Sequence, residues 1–129
     1  MTSRHLGVVI QAAPKAVYEY MADVDNLTSW AGGLASGFTR DGEDLLADSP
    51  MGTVRVRFTL RNEYGVLDHD VTLPDGTVVH NPLRVLAHPD GAEVLFTVRQ
   101  LSMTDEEFAR DCAAVERDLN VVKSVLEAR

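Results

Sequence analysis

The residues best placed for chemistry flank the turn at Pro74-Asp75-Gly76. A three-residue hairpin loop there sets His69 opposite Asn81, and the apolar neighbours Leu67 and Val71 put the imidazole on the inner, apolar face. Such an imidazole could orient a ligand or act as general acid or base, with the amide holding an enolate oxygen. We favour a structural interpretation, a pair bonded to each other or bridged by water, because buried polar groups are usually satisfied internally.

A third polar candidate is Arg84. The same loop geometry at residues 89–91 would set Arg84 opposite Phe96, which conflicts with the register of the first hairpin and predicts a bulge near Asn81-Pro82. Arg84 would then project into a pocket and meet an acidic ligand. The alternative, which we favour, is that Val85 points inward and Arg84 is solvated, because arginine is rarely buried unpaired.

The other candidate side chains are apolar. Trp30 would either gate the mouth of a pocket or anchor the core, and Cys112 is expected to be a packed residue and not a nucleophile. The predicted ligand-binding set has nine residues. The three polar members are His69, Asn81 and Arg84, and the other six are Trp30, Phe38, Met51, Phe58, Phe96 and Cys112. One cysteine and scattered histidines predict neither a metal site nor a cofactor.

Composition limits the class of protein. The 129 residues fit one domain, over residues 1–129, and the net charge of −8 argues against nucleic acid and anionic membranes as partners. No apolar stretch resembles a signal peptide or a membrane span, which predicts a cytoplasmic protein. The sequence leaves a homodimer open.

Turn signals and periodicity predict an α+β fold. Five turns between residues 41 and 91 divide a six-stranded meander, and an earlier strand makes seven: residues 4–11, 33–40, 43–48, 53–61, 66–73, 77–87 and 92–101. Two short helices, beginning near Pro14 and Asp25, lie between the first two strands. Thr104 and Glu107 form a capping box for a long C-terminal helix. Its apolar stripe consists of Phe108, Cys112, Val115, Leu119, Val122 and Leu126.

The chain resembles the START-like, or SRPBCC, superfamily. Residues 8–23 (VVIQAAPKAVYEYMAD) are similar to its opening strand and first helix, Leu27-Thr28-Ser29-Trp30 to the motif that follows, and residues 103–108 and 119–123 to its final helix. The resemblance implies the helix-grip fold, a seven-stranded curved antiparallel sheet wrapped around the C-terminal helix. The His/His/Asp iron set of the oxygenase members is not seen.

The resemblance leaves three functions open, because a fold does not supply a function. The first is binding of a small hydrophobic or amphipathic ligand, such as a lipid, polyketide or aromatic compound, between sheet and helix. The second is a polyketide cyclase or aromatase that uses His69 as its catalytic acid or base. The third is a protein-interaction module like the co-chaperone activators, which would need an exposed apolar patch.

Overall fold

The computed structural model describes residues 1–129 and has the predicted α+β architecture. The strands are β1 (Ser3–Ile10), β2 (Thr39–Asp41), β3 (Asp44–Ser49), β4 (Gly52–Phe58), β5 (His69–Thr72), β6 (Val78–Asn81), β7 (Leu83–His88) and β8 (Gly91–Arg99). The helices are α1 (Pro14–Ala22), α2 (Leu27–Trp30) and α3 (Asp105–Glu127), with short 3₁₀ turns at Val24–Asn26 and Gly32–Leu34.

The strands form two antiparallel sheets, so the prediction of one seven-stranded sheet is wrong. One sheet has three strands in the order β1-β8-β7, and the other has five in the order β2-β3-β4-β5-β6. A single bridge between Val66 and Arg84 lies outside the named strands and connects the two regions. The predicted strand at residues 33–40 is mostly a 3₁₀ turn and loop, and only its end contributes to β2.

The sheets divide at Pro82, inside the segment predicted as one strand over residues 77–87. Proline has no N–H to donate to a neighbouring strand, but its carbonyl accepts a 3.0 Å bond from the Thr97 amide of β8. The next amide, Leu83 N–H, donates to the Asp68 carboxylate at 2.8 Å. A side chain therefore replaces the strand partner where the chain passes from one sheet to the other.

The two Pro-Asp-Gly turns have different loop lengths. At Pro74-Asp75-Gly76 the predicted register is confirmed, with His69 opposite Asn81. At residues 89–91 the prediction is wrong, because His88 pairs with Gly91 across a two-residue loop and Arg84 therefore lies opposite Leu95. The register conflict disappears, and with it the need for the predicted bulge.

The long C-terminal helix follows the prediction closely. Thr104 and Glu107 form the reciprocal capping box, and all six residues of the predicted stripe are buried. The helix packs mainly against β1 and, to a lesser extent, β8 and α2. No helix in the structure has the length and apolar character that crossing a membrane requires.

Candidate functional site

The face of the five-stranded sheet that carries Val56 is largely apolar and only partly covered. Val56 is buried there, but several of its neighbours are half-buried. Phe96 of β8 is also half-buried and contacts this face through the ring of His69. We call the following half-buried set the inner wall: Val54, Phe58, His69, Val71, Asn81 and Phe96.

His69 is held at the centre of the inner wall by two aromatic rings and one hydrogen bond. Its ring stacks on Phe58, with centroids 4.6 Å apart and planes inclined by 30°. Phe96 meets it edge-on at 5.7 Å and 74°. Nδ1 lies 3.0 Å from the Leu67 carbonyl oxygen. Burial lowers the pKa of His69 from its ordinary value, although the Leu67 carbonyl acts in the opposite direction.

His69 and Asn81 are cross-strand neighbours, but they are not hydrogen-bonded to each other. His69 uses the main chain of its own strand instead. The Asn81 amide nitrogen lies 3.5 Å from the Val79 carbonyl, longer than an ordinary N–H···O bond. The amide therefore keeps most of its hydrogen-bonding capacity, and the direct bond between the two side chains is absent.

Arg84 lies on the opposite, outer face and is exposed. Its guanidinium donates two bonds to the Asp68 carboxylate, from Nε at 2.8 Å and from an Nη atom at 2.7 Å. This bidentate pair, with help from the Leu83 amide, lowers the pKa of Asp68. The expectation that Arg84 projects into the pocket is wrong, and the favoured alternative is confirmed, because Val85 is buried.

The same outer face carries a second carboxylate that is paired with arginine, and this one is buried. Asp44 has a side chain that is 7% exposed and that binds both Arg57 and Arg55. Hydrogen bonds from Arg57 and then Arg55 lower its pKa. The alternating arginines of β4, Arg55 and Arg57, therefore lie on the outer face in ion pairs, and they leave no cation on the inner wall.

The remaining predicted residues do not all meet at the inner wall. Met51 is 67% exposed in the turn between β3 and β4. Phe38 is half-buried against the core, and Cys112 is buried within the α3 stripe. Trp30 is 5% exposed at the end of α2, and its Nε1 is the one fully buried side-chain nitrogen or oxygen without a hydrogen-bond partner.

Asp118 is a polar residue that the sequence analysis missed. It lies on α3 next to Leu119 of the apolar stripe, and the nearby Gly32 amide favours its charged form. Desolvation raises its pKa despite that amide. Its position could have been predicted from the sequence, because Asp118 directly precedes Leu119 of the stripe and therefore lies at the margin of the buried face of α3.

Two other concave surfaces lie away from His69. One runs between β1 and α3 and includes Glu116 and Asn120. The other lies between α1 and the loop at residues 62–65, where Tyr18, Glu19 and Tyr64 contribute. Both are lined in part by charged side chains, Glu116 in the first and Lys15 and Glu19 in the second, whereas the inner wall combines aromatic rings with two incompletely bonded polar groups. No three His, Cys, Asp or Glu side chains lie together as a metal site would require.

The sequence matches no protein-family model and no curated protein. Solved structures do match over nearly the whole chain. The Aha1 dimer from Colwellia psychrerythraea is 17% identical with a TM-score of 0.76, covering 98% of this chain and 97% of that one. Ara h 8.0201 is 11% identical with a TM-score of 0.66, covering 99% of both chains.

A third match is DynU16, a protein of the dynemicin biosynthetic locus. It is 13% identical with a TM-score of 0.74, and the match covers 97% of this chain but 47% of DynU16. The chain thus spans about half the length of that protein. At these identities the matches concern the fold alone. They show that the chain has the helix-grip fold that the resemblance in the sequence implies.

Proposed function

We propose that the protein binds a small hydrophobic or amphipathic molecule on the inner wall, between the five-stranded sheet and α3. The observation that carries this proposal is the incomplete burial of an apolar face. Val54, Phe58, Val71 and Phe96 are half-buried, although an apolar sheet face is ordinarily covered by another layer. A ligand would complete that burial.

The polar groups on the wall support the same function. Binding sites for small molecules are usually apolar surfaces with a few polar groups that fix orientation. His69 and Asn81 supply two such groups side by side, and neither satisfies the other. Because the arginines of β4 and Arg84 are paired on the outer face, the wall offers no cation, which favours an uncharged ligand.

The test uses the uncharged fluorescent probe N-phenyl-1-naphthylamine. We expect saturable binding with enhanced emission, and we expect Val71→Trp to weaken it at least about tenfold by filling the wall. The matched control is Val78→Trp, because Val78 is 57% exposed on the same hairpin and should leave the affinity within about twofold. Absence of saturable binding, or equal affinity in a folded Val71→Trp variant, would contradict the proposal.

A cyclase-type enzyme is the second candidate, and the environment of His69 favours it. An imidazole whose pKa is lowered by burial is neutral near pH 7 and can accept a proton. His69 would remove a proton from a methylene between two carbonyls, and the Asn81 amide would donate to the enolate oxygen that forms. Conversion of a triketide thioester that disappears in His69→Ala would support turnover; tight binding without conversion would leave a carrier.

The oligomeric state is a separate proposal. The Aha1 structure that this chain resembles is a dimer, and a homodimer of this protein remains a prediction. Light scattering across a concentration series would give the mass directly.

A further inference from the structure

The hydrogen bond of His69 determines which of its ring nitrogens carries the proton. The Leu67 carbonyl oxygen only accepts, so the nitrogen 3.0 Å away must donate. We therefore assign the Nδ1–H tautomer to the neutral ring. Nε2, on the far edge of the imidazole, is then a bare acceptor.

Nε2 has no partner within the protein. His69 makes one side-chain hydrogen bond, through Nδ1. Nε2 is also not sealed in the core, because Trp30 Nε1 is the one fully buried side-chain nitrogen or oxygen without a partner. The inner wall thus carries an acceptor that has no protein partner and that keeps some contact with solvent.

The ring cannot easily turn to offer a donor instead. Phe58 stacks on one face and Phe96 meets the ring edge-on, and a flip would break the bond to the Leu67 carbonyl. Burial also holds the ring in its neutral form, as the lowered pKa shows, although Asp68 and Asp70 favour the charged form. The inner wall therefore presents His69 Nε2 as an acceptor and does not present a ring N–H as a donor.

We infer that the inner wall selects molecules that donate a hydrogen bond, above all aromatic compounds with a hydroxyl group. This inference rests on the proposed function and adds the ligand class to it. A phenolic hydroxyl would donate to His69 Nε2 while its ring packs against Phe58, Phe96 and Val71. A carbonyl or ether oxygen placed at Nε2 would meet it acceptor to acceptor and leave Nε2 unsatisfied; such an oxygen could accept a hydrogen bond only from the neighbouring Asn81 amide.

The experiment compares 2-naphthol with 2-fluoronaphthalene, in which fluorine replaces the hydroxyl at similar size and cannot donate. Displacement of N-phenyl-1-naphthylamine gives both affinities. We expect 2-naphthol to bind about tenfold more tightly. In His69→Phe, which keeps an aromatic ring and removes the acceptor, the preference should fall below about twofold. The control is His80→Phe on the exposed side of β6, which should keep it.

Three results would decide against the inference in distinguishable ways. Equal affinity for the two naphthalenes in the wild-type protein overturns the donor preference and leaves the binding function standing. A preference that survives in folded His69→Phe assigns the acceptor to another group and overturns the role of His69. Failure of both compounds and of the fluorescent probe overturns the proposed function itself.

A measurement without any ligand tests the premise. Long-range ¹H–¹⁵N NMR spectra distinguish the two neutral tautomers of histidine by the shifts of their ring nitrogens. We expect the Nδ1–H form for His69 at pH 7. Observation of the Nε2–H form would overturn the inference, because the wall would then present a donor.

Discussion

The two sheets bury their inner faces to very different degrees. In the three-stranded sheet most inner side chains are almost free of solvent, and only Val8 and Phe96 are half-buried. The following are all at most 6% exposed: Leu6, Ile10, Leu83, Val85, Ala92, Val94 and Val98. In the five-stranded sheet only Leu45, Ala47 and Val56 reach that level, and the inner wall is half-buried. The difference follows from the helices, because α3 packs mainly against β1 and β8 and α1 packs against β7 and β8.

This difference separates stability from binding within one small domain. Burial of apolar area stabilises a fold by roughly 25 cal/mol per Å², so the sheet under α3 contributes most of that free energy. The wall outside the grip of α3 contributes less and retains apolar surface that a ligand can cover. Substitutions should therefore cost stability in one region and affinity in the other.

The largest expected effect is unfolding of the domain when a charge is introduced into the buried stripe of α3. Leu119 is 2% exposed at the centre of the α3 stripe, and an unpaired carboxylate there should cost more than about 3 kcal/mol and unfold the domain. The measurement is a thermal melt of Leu119→Asp. Val121→Asp, at a position 38% exposed on the same helix, is the control and should melt near wild type. Equal melts for all three proteins would show that α3 does not cover the sheet.

Truncation of one valine in each sheet tests the comparison directly. Val94 is fully buried beneath α3, and Val94→Ala should lower the free energy of unfolding by about 2 kcal/mol. Val71→Ala removes the same two methyl groups from the inner wall and should cost about 1 kcal/mol or less. Urea unfolding of both variants gives the two values. A larger cost for Val71 would mean that the wall is packed as tightly as the core.

A smaller effect concerns the margin of the buried face. Because desolvation raises the pKa of Asp118, the folded state holds this proton to higher pH than the unfolded state does. Its contribution to stability is therefore present below the ordinary value of 3.8 and is lost as pH rises through the raised pKa. Asp118→Asn should therefore be more stable than wild type at pH 7 and equal to it at pH 3, as measured by urea unfolding at both pH values.

The control for that substitution is Asp90→Asn in the exposed turn between β7 and β8, which should change the melting temperature little at either pH. A loss of stability in Asp118→Asn at pH 7 would show that the attraction between the charge and the Gly32 amide outweighs the desolvation of the carboxylate.

The smallest expected change in stability is at the centre of the inner wall. His69→Leu removes the desolvation of an imidazole but also its bond to the Leu67 carbonyl, two opposed effects of about 1 kcal/mol each. The net change at pH 7 should be small, while affinity for a hydroxylated ligand falls roughly ten- to hundredfold. Calorimetry and urea unfolding of the same protein measure both. Unchanged affinity in the folded variant would reduce His69 to a packing residue.

The pH dependence of this variant has a definite sign. The pKa of His69 is lowered in the folded state, so the unfolded state binds the proton first as pH falls. The wild-type protein therefore loses stability as pH drops below about 6.5, and His69→Leu lacks this loss. Parallel unfolding curves between pH 7 and pH 5 would contradict the burial of the imidazole.

The sequence pattern predicted correctly those features that depend on one helix or one hairpin alone. The α3 stripe and its capping box could be read from spacing alone, because burial along a helix repeats with the helical turn. The register of His69 and Asn81 followed from one loop. The bonds of His69 could not be predicted, since its ring is oriented by Phe96, which comes from the other sheet.

Loop length at the second Pro-Asp-Gly turn shows the same limit. Gly76 lies in its loop with open space around it, whereas a Cβ on Gly91 would lie 2.5 Å from the Ile10 carbonyl oxygen. Gly91 is thus packed against the end of β1 and pairs as a strand residue. Two identical tripeptides therefore form loops of different length because their tertiary packing differs. The incorrect register at the second turn is the reason that Arg84 was predicted to project into the pocket.

Trp30 gives the protein an optical probe of its own. It is the one tryptophan in the chain, it is buried, and its indole N–H is unbonded. An indole in such surroundings emits at shorter wavelength than one in water, and its emission moves to the red when water reaches the N–H. Separation of α2 from the core would therefore be visible in the fluorescence of the unlabelled wild-type protein, with no second tryptophan to obscure it.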